Sequence, residues 1–407
     1  MKRALLGTTA LFGAGLIGLG WAAQPAAADS PIKLTVGGFF REAYMFVSDE
    51  DAQGEPGDNH NEHGFFNDAE VHFMGRTVLD NGLEVGARIE LEGENDDDQI
   101  DEAWVYFAGG FGEIRIGSDD EALSNSCILP PGGTANFSAF SPNQWGANAF
   151  SAVSPLAGFF GVQSNSACTG VDDKSDAQKI LYFSPVFHGF QLSASYTPNP
   201  RSETHVDGVG PHIGMPVKDP ENEADSDASV YLTYTYEGSD WGLTWGAGGS
   251  WEFGNDTLFG FFDPEDRDFY QTGLTVYIDR FSIGGVFEYY NDLNSFSEIG
   301  PDFREDQDAW VAGGGIAYTY NAWTFGAQYS YRKDIFQEHF TGTDLKADQV
   351  QQRAVATVNY VLGTGINLDG EVGYTWRNHN PEHSFSIDDD IDDYHALEIG
   401  LGTAITF

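Results

Sequence analysis

The chain ends in Tyr394-His-Ala-Leu-Glu-Ile-Gly-Leu-Gly-Thr-Ala-Ile-Thr-Phe407. Leu397, Ile399, Leu401, Thr403, Ile405 and Phe407 fall on one face, and Ala396, Glu398, Gly400, Gly402, Ala404 and Thr406 on the other. That is period two, held for the length of a membrane-crossing strand and closed by an aromatic. A lone strand cannot leave its backbone unpaired in lipid, so the pattern predicts a closed barrel.

The same alternation recurs upstream, near 33–47, 68–79, 83–92, 100–108, 112–118, 178–184, 189–196 and 228–236. It continues near 242–253, 268–278, 281–290, 309–319, 323–332, 349–361, 366–376 and 394–407. The expected fold is all-β, an antiparallel transmembrane barrel of about sixteen strands. Short turns at Asp80-Asn81-Gly82, Gly109-Gly110-Phe111, Asp279-Arg280 and Gly363 to Gly365 alternate with longer polar loops. The loops fall near 48–67, 93–99, 119–177, 197–227, 254–267, 291–308, 333–348 and 377–393. An up-and-down barrel places these two kinds of connection on opposite rims. In 83–92, Leu83, Val85, Ala87, Ile89 and Leu91 oppose Glu84, Arg88, Glu90 and Glu92. In 366–376, Ile366, Leu368, Val372, Tyr374 and Trp376 oppose Asn367, Asp369, Glu371 and Thr375. A face with this many charges lines water rather than a packed core. Aromatics such as Tyr44, Trp241, Trp251, Tyr329, Trp376 and Phe407 gather at strand ends, as girdles at the headgroup level do.

Lys2-Arg3, the apolar stretch from Ala4 to about Ala23, and Pro25-Ala-Ala-Ala28 read as a signal peptide. Cleavage is expected after Ala28, which leaves 29–407 as the barrel domain. With 63 acidic residues against 19 Lys and Arg, the chain is a poor partner for nucleic acid. Cys127 and Cys168 are the two cysteines, and export to an oxidising compartment predicts a disulfide between them.

Four longer motifs recur in a fixed order: Leu79-Asp-Asn-Gly-Leu-Glu-Val85, Asp101-Glu-Ala-Trp-Val-Tyr-Phe107, Gly110-Phe-Gly-Glu-Ile-Arg-Ile-Gly117 and Ile180-Leu-Tyr-Phe-Ser-Pro185. With Gly189 to Tyr196 and the final Phe407, they resemble Gram-negative general (non-specific) outer-membrane porins of the alphaproteobacterial type. The resemblance covers essentially the whole of 29–407. It implies a sixteen-stranded barrel in the outer membrane, a homotrimer, and passive diffusion of ions and small hydrophilic solutes. It also implies that the third long loop folds into the lumen, and that Phe407 is read by the barrel assembly machinery.

The 119–177 loop is the longest, and Phe137, Phe140, Trp145, Phe150, Phe159 and Phe160 make it too apolar for a solvated tail. It is expected to pack on the barrel wall; a loop folded outward over the mouth is the alternative. In the family, the inserted loop carries acids that face wall bases. The acids here are Asp119, Asp120, Glu121, Asp172 and Asp173, and the pore-lining bases are Arg41, Arg76, Arg88 and Arg115. Opposed charges across a narrow lumen orient dipolar solutes and set ion preference.

Acidic runs at Asp96-Asp97-Asp98, Glu221 to Asp227, and Asp388, Asp389, Asp390, Asp392 and Asp393 raise cation concentration at a mouth. Cation selectivity is therefore expected. The last run is also a candidate for Ca²⁺, although no loop has EF-hand spacing, and no other cofactor is expected. The bland reading of these runs is solubility, or divalent bridging to lipopolysaccharide in the surrounding lipid. Three further functions stay open. A channel selective for a sugar or organic acid would need a lumen line of aromatics or bases. A surface adhesin would use the loops without an open lumen. A barrel enzyme is disfavoured, because G-x-S-x-G, HExxH, P-loop and Rossmann patterns are absent from the sequence. Trimer packing is expected on the outer face of the first and last strands, with Gly38, Gly400 and Gly402 allowing close approach.

Overall fold

In the computed structural model, the described residues are 32–49, 62–93, 100–140, 167–168, 177–198, 226–253, 263–264, 266–292, 296–297, 303–340, 343–381 and 394–407. The signal segment, Asp172, Asp173 and the acidic runs at 96–98 and 388–393 lie outside them.

One sheet contains every strand, and all its ladders are antiparallel. The strands are β1 (Lys33–Asp49), β2 (His63–Val78), β3 (Glu84–Glu92), β4 (Ala103–Gly109), β5 (Gly112–Ser118), β6 (Gln178–Phe183), β7 (Phe190–Thr197), β8 (Ser226–Glu237) and β9 (Trp241–Phe253). They continue as β10 (Asp263–Pro264), β11 (Asp268–Ile278), β12 (Phe281–Asn291), β13 (Phe296–Ser297), β14 (Phe303–Tyr320), β15 (Trp323–Phe340), β16 (Thr343–Gly363), β17 (Ile366–Pro381) and β18 (Tyr394–Thr406). β10 and β13 are two-residue ladders on the loop rim; the other sixteen form the wall. A short helix, α1 (Ala122–Ser126), follows β5.

Closure comes from β1 pairing with β18, from Phe39↔Thr406 to Asp49↔Ala396. Gly38 and Phe407 complete the seam with reciprocal backbone hydrogen bonds of 3.1 Å. Gly38 is required there: its φ is +151°, and a Cβ would run into the Glu70 carbonyl. Closure leaves no edge strand, which satisfies every ladder group that lipid could not.

The alternation read from the sequence is the alternation of exposure. On β18, Leu401 is 68 % exposed, while Ala396 and Glu398 are fully buried. On β17, Leu368, Val372 and Tyr374 face out, and Asp369, Glu371 and Thr375 face in. Burial of carboxylates with exposure of leucine is inverted relative to a soluble protein and marks the outer face as the lipid face.

Two expectations need correction. Residues 333–340 and 343–348 are not loop: β15 and β16 stay paired from Lys333↔Val350 to Phe340↔Thr343. Polar residues interrupt the sequence alternation there, but a backbone ladder does not depend on it. Gly400 and Gly402 do not lie on the outer face either. A Cβ at Gly400 would meet Phe137 and Met45, and one at Gly402 would meet Asn136 and Asp369. Both point inward, so their smallness serves the interior and not a neighbouring chain.

Lipid exposure sets a testable cost. Val372→Arg, in mid-strand, is expected to destabilise the barrel by about 2–4 kcal/mol, and Leu362→Arg, next to a short turn, by about 0–1 kcal/mol. Urea-dependent refolding into vesicles measures both, and equal costs would contradict this placement of the membrane.

Candidate functional site

After Ser118 the chain leaves the wall but keeps contact with its polar face. Asp119 is buried and accepts from Arg115 Nη1 at 3.1 Å and Asn125 Nδ2 at 3.2 Å. Lys179 donates to the Asp119 carbonyl. The next turn, α1, has no side-chain cap of its own. Two wall serines take that role: Ala122 N donates to Ser195 Oγ at 3.0 Å, and Leu123 N to Ser229 Oγ at 2.9 Å. Helix N-termini leave such donors without intrahelical partners, so the wall sets where this helix can start. Glu121 accepts from Ser250 Oγ at 2.6 Å, and Leu123 packs among Tyr231, Phe269, Tyr290, Ala309 and Val311.

From here the segment runs across strand after strand. Gln271 Nε2 donates to the Ile128 carbonyl at 3.1 Å, Gln328 Nε2 to Pro130 at 3.0 Å, and Thr357 Oγ1 to Gly132 at 2.6 Å. Arg41 Nη1 donates to Ala135 at 3.2 Å. Asn136 donates to Asp369 twice, from N at 3.1 Å and from Nδ2 at 2.9 Å. Ser138 Oγ and Ala139 N both donate to Gln328 Oε1 at 2.9 Å. The returning limb is tied at Cys168, whose N donates to Glu288 Oε1 at 2.8 Å and whose sulfur is bonded to Cys127. The expected disulfide is therefore present.

Wall glycines make this route possible. Cβ atoms at Gly273, Gly315 and Gly326 would collide with the carbonyls of Ile128, Pro131 and Gly132. At Gly313 a Cβ would strike the Phe140 ring. All lie on the polar face of β11, β14 and β15, so the segment needs a wall stripped to backbone where it crosses.

The four wall bases expected from the sequence all face the interior, and each has an acidic partner there. Arg41 pairs with Asp68. Arg76, half exposed, lies 3.8 Å from Glu84. Arg88 pairs with Glu90. Arg115 lies 2.7 Å from Glu113 and 3.1 Å from Asp119, with its guanidinium stacked on Trp104 and Phe183. Asp119 and Glu121 are thus brought to the wall; Asp120 is half-buried, with its carbonyl accepting from Asn125 Nδ2 at 2.9 Å.

Sequence reading did not count a second basic group, on the later strands, among the pore-lining bases. Arg332 chelates Asp334 at 2.8 Å, Arg353 bridges Glu371 at 3.0 Å and Glu398, and Arg377 donates to Gln351. The signal was available: each lies on the polar face by the same alternation. Glu102, just ahead of β4, is also new. Burial, with help from Asp119, Glu90 and Asp120, pushes its carboxyl up to about 10. Its side chain hydrogen-bonds to Glu90, and its Oε2 accepts from Trp104 Nε1 at 3.1 Å.

A family model described as Gram-negative porin matches residues 10–380. No curated protein matches the chain in sequence. Among solved structures, the fold is similar to OmpT of Vibrio cholerae lacking loop L8, at TM-score 0.55 and 14 % identity, covering 92 % of this chain and 99 % of that one. It is similar to an anion-selective porin from Comamonas acidovorans, at TM-score 0.53 and 15 % identity, covering 93 % and 100 %. DcaP, an outer-membrane channel of Acinetobacter baumannii, gives TM-score 0.52 and 12 % identity, covering 94 % and 100 %.

Gln328 is the most connected anchor of the segment. Gln328→Ala strands the Ala139 amide and the Pro130 carbonyl, at about 1–3 kcal/mol for each buried group left unsatisfied. Hydrogen exchange of the folded protein should speed up at Ala139 by about tenfold or more. Amides in β15 and β16 should keep their protection; unchanged exchange at Ala139 would remove Gln328 from this role.

Proposed function

This chain belongs to the Gram-negative porin family, whose members are outer-membrane channels rather than enzymes, and we propose that it passes ions and small hydrophilic solutes by passive diffusion with a preference for cations. One observation carries the reading. The segment from Asp119 to Phe140 is hydrogen-bonded to interior side chains of β1, β7, β8, β11, β15, β16 and β17. A stretch that meets inward-facing side chains on one neighbouring strand after another lies along the inner side of the wall. We infer that it is the constriction of the channel, with the Cys127–Cys168 bond closing it on itself.

The cation preference follows from how the interior charges are paired. Arg41, Arg76, Arg88, Arg115, Arg332 and Arg353 each sit against a wall carboxylate. A paired base presents little net positive field to a passing ion, whereas the net charge of −44 raises cation activity around the mouths. The likeness to an anion-selective porin is one of fold, at 15 % identity, and does not carry selectivity across.

We propose a homotrimer, as in the trimer form of Vibrio cholerae OmpT. Support comes from the outer face of β1 and its two neighbours. Glu42 alternates with buried Arg41 and Ala43, so it points outward, in register with Asn67 on β2 and Thr403 on β18. An ionisable side chain held against lipid is costly, and a second copy of the chain would cover it.

Single-channel recording in a planar bilayer under a KCl gradient tests the proposal. Ohmic steps in groups of three, with a reversal potential on the cation side, are the expected result. Folded protein without conductance would leave a plugged barrel or adhesin; an anion-side potential would overturn the charge argument alone.

A further inference from the structure

We propose that Glu70, His72 and Glu90 form a lumen-facing site for a divalent first-row transition-metal cation, of the zinc or nickel class. His72 on β2 stands directly opposite Glu90 on β3, and Glu70 lies two residues before His72 on the same face. His72 Nε2 is 2.7 Å from Glu70 Oε2 and 3.0 Å from Glu90 Oε2, and the three donor atoms all lie within 4.8 Å of one another. Tetrahedral ligands at 2.0–2.1 Å from a zinc ion stand about 3.3 Å apart, so His72 Nε2 would draw back from the two carboxylates by about 0.3–0.6 Å to admit the ion. Among the described residues no other group of His, Cys, Asp and Glu converges in this way.

The donor chemistry selects the class of ion. One imidazole and two carboxylates suit zinc, nickel or manganese, whereas calcium and magnesium prefer an all-oxygen shell. His72 and Glu70 keep 20 % and 16 % of their side-chain surface open, which gives an ion a way in from the lumen. Glu90 is 5 % exposed and is held from behind by Glu102, which Trp104 holds in turn. Such outer partners fix the orientation of a ligating carboxylate.

Arg88 is the competitor. Its Nη2 lies 3.1 Å from His72 Nδ1, and it also pairs with Glu90. A guanidinium keeps its protons, so it donates, Nδ1 accepts, and the imidazole proton sits on Nε2 between the two carboxylates. A metal ion at Nε2 takes the place of that proton, which moves to Nδ1, and Arg88 must release Nδ1. Glu90 can serve both cations, because Oε1 faces Arg88 and Oε2 faces His72. Removing Arg88 should therefore tighten binding, the reverse of what loss of a structural ion pair would do.

Zinc binding to the folded, detergent-solubilised protein by equilibrium dialysis is the direct test. The acidic loops add background, which His72→Ala reports. The wild type should take up one ion more per chain than His72→Ala or Glu90→Gln, and calcium should not displace it. Arg88→Gln should bind zinc more tightly than the wild type. Equal uptake by wild type and His72→Ala, or weaker uptake by Arg88→Gln, would overturn the site. Its effect on conduction rests on the channel reading: zinc should alter wild-type single-channel current and leave His72→Ala unchanged. Protein that binds zinc but never conducts would count against the channel and not against the site.

Discussion

Lipid offers no hydrogen bonds, and every other feature of this molecule follows from that. A backbone that crosses the membrane as strands must pair each strand on both sides, so the sheet closes where β1 meets β18. Closure divides side chains into two populations with opposite solvents. Period two then places Leu, Ile, Val and Phe against lipid and sends Glu, Asp, Arg, Gln and Ser inward on the same strands. The interior of so wide a barrel is too large for one layer of wall side chains to fill. The segment from Asp119 to Phe140 is an occupant of that inward face, and the wall supplies it with partners.

The occupant and the wall specify each other. A segment without a ladder has backbone groups to satisfy, and here they are met by side chains placed on the strands it passes: Ser195, Ser229, Gln271, Gln328, Thr357 and Asp369. Where the segment lies closest, the wall gives up side chains altogether, at Gly273, Gly315 and Gly326. Glutamine suits this role because one amide accepts and donates at once. Gln328 accepts from Ala139 N and donates to Pro130 O, so it pins both limbs of one turn. Leu123 and Phe140 add apolar anchors among wall residues that are inward-facing yet hydrophobic, such as Tyr231, Phe269 and Val355. Those residues break the polar-inside rule only where the segment covers them.

Much of this was legible in the sequence, and the exceptions have physical causes. The alternation of β15, β17 and β18 gave facing correctly because their lipid-exposed parts have one apolar solvent on one side. It failed at 333–340 and 343–348, where polar residues interrupt the period although the backbone ladder continues. It also failed to explain Gly400 and Gly402. Smallness marks a close approach without saying to what, and here the neighbours are Phe137 and Asn136 from a distant stretch of chain. Arg41 was placed on the interior, but its partner Asp68 on the neighbouring strand was not, since pairing across strands depends on register. Arg332, Arg353 and Arg377 obey the same alternation, and the partners of the last two, Glu371 and Gln351, again come from register.

Register also decides what the interior charges do. An arginine directly facing open water polarises the lumen, whereas one set against Glu371 and Glu398, as Arg353 is, becomes part of a nearly neutral wall. Dielectric sharpens the difference, because partly buried pairs are screened far less by salt than charges at an open mouth. Two electrostatic systems therefore coexist: acidic loops whose pull fades with ionic strength, and paired charges on the wall that hold geometry more than they attract. Glu70, His72, Glu90 and Glu102 depart from that pairing. There three carboxyl groups share one imidazole and one guanidinium. Two carboxylates converging on one imidazole, with part of their surface open to the lumen, are what a cation there would find.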